Sequence, residues 1–99
     1  MYIVRDIMHC KPGMARPMVK KFVALSRLVE SRGMGRMRVM TDVSAERYWM
    51  VVAEVEVENL ERWTAQVKET MQTHEFQDAM KDYHDLIDNG RREIYTLEH

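Results

Sequence analysis

The chain has 99 residues, 45% of them hydrophobic and 31% charged, with 15 basic and 16 acidic side chains. This length supports one domain, whose modest core gains from a partner. The near-neutral balance excludes a nucleic-acid footprint, because Arg36/Arg38 and Arg91–Arg92 are too short to form one; no run approaches the roughly 18 apolar residues of a membrane span; and a lone cysteine, Cys10, excludes an intrachain disulfide.

Charges at Arg5 and Asp6 interrupt the apolar run that a signal peptide would need, so a cytoplasmic protein is expected. Leu97-Glu98-His99 reads as the start of an expression-tag scar, which leaves residues 1–97 as the domain and sets 98–99 aside.

Residues 2–8 are rich in strand formers and run into Cys10-Lys11-Pro12-Gly13, where Pro and Gly mark a turn. From about Arg16 to Arg32, Met18, Phe22, Leu25 and Val29 recur on one helix face, with Lys20, Lys21, Arg27 and Glu30 on the other. Pro17 fits only the first turn of that helix, and Gly33 and Gly35 end it.

Residues 35–41 read as a second strand, 42–46 as a loop and 47–57 as a third strand. The stretch Tyr48-Trp49-Met50-Val51-Val52-Ala53 is apolar on both sides, and alternation begins only at Glu54. Such a strand needs cover on both faces. The chain's own helices can cover one, and a second copy is expected on the other. Setting Met40 opposite Tyr48 brings Arg38 opposite Met50 and Arg36 opposite Val52. Met37, Val39, Trp49, Val51, Val55 and Val57 then share the helix-covered face. Arg36, Arg38, Met40, Tyr48, Met50, Val52, Glu54 and Glu56 take the other, and a slip of one residue would exchange the two sets.

Asn59 is a good N-cap, with Glu61 in the first turn and Leu60, Trp63, Val67 and Met71 as the apolar stripe. Gln72-Thr73-His74 reads as a break. Phe76, Met80, Tyr83 and Ile87 form another stripe, closed by Asn89-Gly90, and residues 92–97 form the last strand. Strand, helix, strand, strand, helix with an extra helical piece, strand is the order of a ferredoxin-like βαββαβ unit. The expected class is α+β, a four-stranded antiparallel sheet with helices on one face.

Length, element order, the two-sided third strand and the extra helix at 74–88, opened by His74-Glu75-Phe76-Gln77-Asp78-Ala79-Met80, together resemble the dimeric α/β-barrel superfamily. Its members include NIPSNAP-like, stress-responsive barrel and antibiotic-biosynthesis-monooxygenase-like proteins. The resemblance covers almost the whole chain through loose motifs, so it speaks to fold more than to function. It implies a homodimer with two sheets face to face and, for an enzyme, cofactor-independent oxidation or isomerisation of an activated carbon acid. The haem-degrading branch has an Asn on the first strand, a Trp in the second helical region and a His four residues after a Phe. Here Asp6 replaces the Asn, Trp63 lies too far before Phe76, and Met80 stands four residues after it. No haem or other cofactor is expected.

The ten methionines read as adaptable packing rather than a Cu(I) site, since Met37 faces away from Met34 and Met40 and since Met18, Met71 and Met80 fall in helix stripes. His9 and Cys10 are neighbours on a strand and point apart, so no metal site is expected. The strongest candidate is the mixed sheet face, where Arg36, Arg38, Tyr48 and Glu54 gather and Asp6 joins from the first strand. Covered by a partner sheet, these groups would line a pocket for a small aromatic or anionic metabolite, because buried charges require partners. The arginines would hold a carboxylate, enolate or phenolate, Tyr48 would hydrogen-bond or stack, and His9 or Asp6 would take a proton. The alternative is a non-catalytic dimeric module whose charges form cross-strand ion pairs at the seam.

Overall fold

The computed structural model describes all 99 residues, in the element order expected. The strands are β1 Tyr2–Cys10, β2 Met37–Thr41, β3 Met50–Val57 and β4 Ile87–Thr96. The helices are α1 Ala15–Ser31, α2 Leu60–Met71 and α3 His74–Ala79, with a 3₁₀ turn at Tyr83–Leu86. The four strands form one sheet in the order β2-β3-β1-β4, antiparallel throughout. This is a ferredoxin-like α+β fold.

The helical stripe of α1 becomes the centre of the core. Met18 and Phe22 are fully buried there against Val51, Ala53, Cys10 and Met80, and burying a side chain of the size of Phe22 is worth about 1.5–3 kcal/mol. A second apolar patch joins Val4, Val55 and Val57 to Trp63 of α2. Pro17 sits in the first turn of α1, and Gly33 takes the left-handed backbone (φ 70°) that ends the helix. The Asn59 side chain caps α2 by accepting from the Arg62 N–H at 3.0 Å. Thr73 caps α3 by accepting from the Phe76 N–H at 3.2 Å, which is why the chain breaks at 72–74.

Four details correct the sequence expectations. First, Met40 lies opposite Val52 and Arg38 opposite Glu54, four residues further along β3 than expected. An even slip preserves the faces, so Met37 and Val39 still share the covered side with Val51, Ala53 and Val55. Second, β2 starts at Met37 and β3 at Met50. Gly35 precedes β2 with a positive φ (101°), and Trp49 holds a left-handed backbone (φ 62°) that interrupts the pleat. The Asp42 side chain then accepts from the Met50 N–H at 2.9 Å and fixes where β3 begins. Tyr48 and Trp49 therefore belong to an eight-residue loop, 42–49, and not to the sheet.

Third, β4 begins at Ile87 and not at residue 92, so Asn89-Gly90 lies within a strand instead of closing a helix. A Cβ on Gly90 would sit 2.7 Å from the Met8 sulfur, and the missing side chain lets Met8 lie across β4. Fourth, Phe76, Met80, Tyr83 and Ile87 do pack on one core without forming one helix: α3 ends at Ala79, and Asp82 (φ 60°) turns the chain into the 3₁₀ segment. Their spacing reported shared burial and not continuity.

Candidate functional site

The sheet has a face covered by helices and an open face, and each carries arginine–carboxylate chemistry. On the covered face, Asp6 stands opposite Arg92 on β4. The pair is bidentate, with Arg92 Nε donating to Asp6 Oδ1 at 2.7 Å and Nη2 to Oδ2 at 3.2 Å. The same guanidinium lies 5.1 Å from the centroid of the Trp63 ring, a cation–π contact. Asp6, Arg92 and Trp63 border a cavity of about 180 Å³ between the sheet and the helices, walled mainly by apolar side chains such as Val4, Phe22, Val55 and Met80.

Thioethers make up much of that wall, from Met8, Met34, Met37, Met71 and Met80. The methionines thus serve as the packing material expected of them, and they pack around a space. Thr70, also on the wall, is buried. Its hydroxyl donates to the Gln66 carbonyl at 2.8 Å and lies 3.2 Å from the Met34 sulfur, so it is satisfied within its own helix. The polar end of the cavity is the Asp6–Arg92 pair.

On the open face Glu54 is only 5% exposed and is held by two arginines. Arg5 Nε donates to Glu54 Oε1 at 2.6 Å, and Arg38 donates to Oε2. Burial pushes the Glu54 carboxyl up, but the hydrogen bonds and charges of Arg5 and Arg38 outweigh it and hold the group below the ordinary carboxylate range. Arg5 also lies 5.3 Å from the Tyr95 ring centroid. The Tyr95 hydroxyl donates to Glu93 at 2.6 Å, and Arg91 donates to the same carboxylate at 2.9 Å. These bonds lower Glu93, raise the Tyr95 phenol and raise Arg91.

His9 lies at the end of that network, 4% exposed, with Nε2 2.7 Å from Arg91 Nη1. A guanidinium only donates, so Nε2 accepts and the ring proton sits on Nδ1, a buried atom without a partner. Cys10, next in the chain, is buried. Desolvation and then the Asp88 charge push its thiol up, so it is protonated and unreactive at neutral pH. No three His, Cys, Asp or Glu side chains come together as a metal site would require.

The six residues singled out from the sequence are therefore spread over the molecule. Arg38 and Glu54 meet, as a cross-strand ion pair that also takes in Arg5. Arg36 precedes β2 and is exposed; Tyr48 is 84% exposed in the loop. His9 is on the open face, engaged by Arg91. Asp6 faces the helices, on the opposite side of the sheet from Arg38 and Glu54, because it lies in register with Ala53 while its neighbour Arg5 lies in register with Glu54. Arg92 and Trp63 were not anticipated as site residues. An Arg that alternates in phase with Ile94 on a strand was the available signal, but using it required the β1–β4 register.

No family model matches the sequence, and no curated protein matches it. Solved structures match over the whole length. A NIPSNAP-like domain protein of Burkholderia xenovorans has a TM-score of 0.79 at 17% identity, over 97% of this chain and 84% of the other. A NIPSNAP family protein of Agrobacterium tumefaciens has 0.77 at 12%, over 97% and 92%. A candidate antibiotic biosynthesis monooxygenase of Nitrosomonas europaea has 0.72 at 13%, over the whole of both chains. The chain shares the ferredoxin-like fold of the NIPSNAP-like and antibiotic-biosynthesis-monooxygenase-like proteins. At these identities the likeness is one of fold, and the activity must be argued from the site.

Proposed function

We propose that this protein binds a small phenolic aromatic molecule in the cavity between sheet and helices, and does so as a homodimer closed over the open sheet face. The observation that carries the first part is the Asp6–Arg92 pair beside Trp63 at one end of an otherwise apolar space. Apolar pockets with a few convergent polar groups are the usual form of a small-molecule site. A cavity of about 150 Å³ with such walls accepts a benzene ring. A phenol suits the polar end better than a carboxylate: its O–H donates to Asp6 while its oxygen accepts from Arg92. A carboxylate would have to displace Asp6.

The dimer is supported by what the open face leaves uncovered. Met40, Tyr95, Trp49 and Tyr48 are 39%, 46%, 43% and 84% exposed on or beside that face, and Val43 in the loop is 99% exposed. Apolar surface gathered in this way marks an interaction site. The names of the monooxygenase neighbours bring oxygenation of the bound ring by O₂ into the proposal, one oxygen atom replacing a ring hydrogen as a quinone carbonyl, the other leaving as water, and the ring itself supplying the electrons. Asp6 would take the phenolic proton and Arg92 would stabilise the phenolate. Binding without oxygen uptake would instead assign a non-catalytic binding module.

The test is isothermal titration calorimetry with 2-naphthol on the wild type, Arg92→Met and Arg38→Met. Binding should weaken about tenfold in Arg92→Met, the worth of a charge-assisted hydrogen bond, and stay unchanged in Arg38→Met. The opposite pattern would move the site to the open face. Native mass spectrometry should find two copies; a clean monomer would remove the dimer from the proposal.

A further inference from the structure

Gly90 stands within β4, where glycine is less favourable than alanine by roughly 0.5–1 kcal/mol. Its backbone does not call for a glycine. The glycines with positive φ are Gly13, Gly33 and Gly35, and Gly90 is not among them. Space is the remaining reason. A Cβ at this position would meet the Met8 sulfur at 2.7 Å and the Met8 methyl at 3.5 Å, whereas the Ile7 carbonyl oxygen lies at an ordinary 3.6 Å. What a side chain at position 90 would displace is therefore the end of one flexible thioether.

That thioether is also a wall of the cavity. Asp6 and Met8 are successive residues on the helix-facing side of β1, and their partners on β4 are Arg92 and Gly90. Asp6, Met8 and Arg92 all line the cavity. Met8 leans off β1 across the edge strand, into the space that a side chain at 90 would fill. A methyl group there pushes the thioether back toward β1 and into the cavity. At about 180 Å³ the cavity is little larger than the ~150 Å³ that accepts a benzene ring. The place of one thioether then decides whether a second fused ring fits. Alternate residues of a strand are about 6.6 Å apart, so a ligand held by its hydroxyl at Asp6–Arg92 meets Met8 at its far end.

We infer that the Met8–Gly90 pair sets the size of ring the cavity accepts. Met8 is the wall against the far end of the ligand, and Gly90 is the positioning residue that keeps this wall drawn back. The ligand class is a fused two-ring phenol. This rests on the proposal that the cavity binds a phenolic ring anchored at Asp6–Arg92.

The test titrates phenol, 2-naphthol and the three-ring 2-anthrol into wild type, Gly90→Ala, Met8→Ala and the double variant, read by the Met80 methyl NMR shift. Wild type should bind 2-naphthol about tenfold more tightly than phenol, as burial of a second ring implies. Gly90→Ala should lose that advantage while binding phenol as wild type does. Adding Met8→Ala to Gly90→Ala should restore it, which a general loss of structure would not allow. Met8→Ala alone should bind 2-anthrol, which wild type should exclude. Failure of wild type to bind either smaller phenol would overturn the proposed site and this inference with it. If wild type binds 2-naphthol, three results would overturn the inference and leave the site standing: an advantage unchanged in Gly90→Ala, an equal loss of both phenols, or no restoration in the double variant. Should Gly90→Ala fail to fold, Met8→Ala decides alone, and its exclusion of 2-anthrol would contradict the inference.

Discussion

On the covered face of the sheet Arg92 grips Asp6 beside Trp63 and an apolar space; on the open face Arg5 and Arg38 grip Glu54. The chemistry is nearly the same and the surroundings differ. Glu54 takes one bond from each of two arginines at its two oxygens, and the network continues through Tyr95, Glu93 and Arg91 to His9. Little is left over there for a ligand. Asp6 and Arg92 satisfy each other, but they border a cavity with an aromatic ring at hand. An ion pair inside a charged network and an ion pair beside a cavity are told apart by what lies next to them.

Substitutions on the two faces should separate them, beginning with the core. Phe22→Ala empties the centre of the covered side and should cost ~3–5 kcal/mol in urea denaturation; a loss below 1 kcal/mol would mean the covered core is not where stability resides. Glu54→Ala should cost less, ~1–3 kcal/mol, because Arg5 and Arg38 are half-exposed and can turn to water.

The Glu54 pair also sets a pH dependence. Its folded carboxyl is held below its unfolded value of about 4.3. Its contribution is therefore present above that value and is lost as pH falls through the lower folded one. Wild type should lose its stability advantage over Glu54→Gln as pH falls below about 4. An advantage that is the same at pH 3 and pH 7 would remove the charge from the explanation.

The smaller effects concern the helices and the loop. Thr73→Ala removes the cap of α3, which supports Met80 and the far wall of the cavity, and should cost about 1 kcal/mol. Tyr48→Ser should leave the unfolding free energy of a single copy within about 0.5 kcal/mol, as expected for an exposed loop position. It should loosen the proposed dimer in sedimentation equilibrium. An unchanged dimer would take the 42–49 loop out of the interface.

The element order, the stripes of α1 and α2 and the faces of the paired β2 and β3 residues were legible in the sequence, since all three follow from apolar period and from Gly, Pro and cap residues. The four-residue slip left the faces intact because strand period is two. What was hidden depended on backbone conformation and long-range register. Trp49 has the composition of a strand residue and the backbone of a turn. Asp6 read as a neighbour of Arg38 and Glu54 until its opposition to Ala53 turned it to the helices. The Asp6–Arg92 pair joins residues 86 apart, and no local spacing announces it. Sequence pattern put Arg38 and Glu54 together on one face; only the register showed that Asp6 lies on the other, beside Arg92 and the cavity.

The most direct test is methyl-resolved NMR of the wild-type protein titrated with 2-naphthol. The methyls of Val4, Val55 and Met80 line the cavity and should shift in proportion to occupancy, while those of Ile7, Val52 and Met50 on the open side should stay in place. Shifts confined to Ile7, Val52 and Met50 would put the ligand between two sheets and contradict the assignment of the site to the covered face.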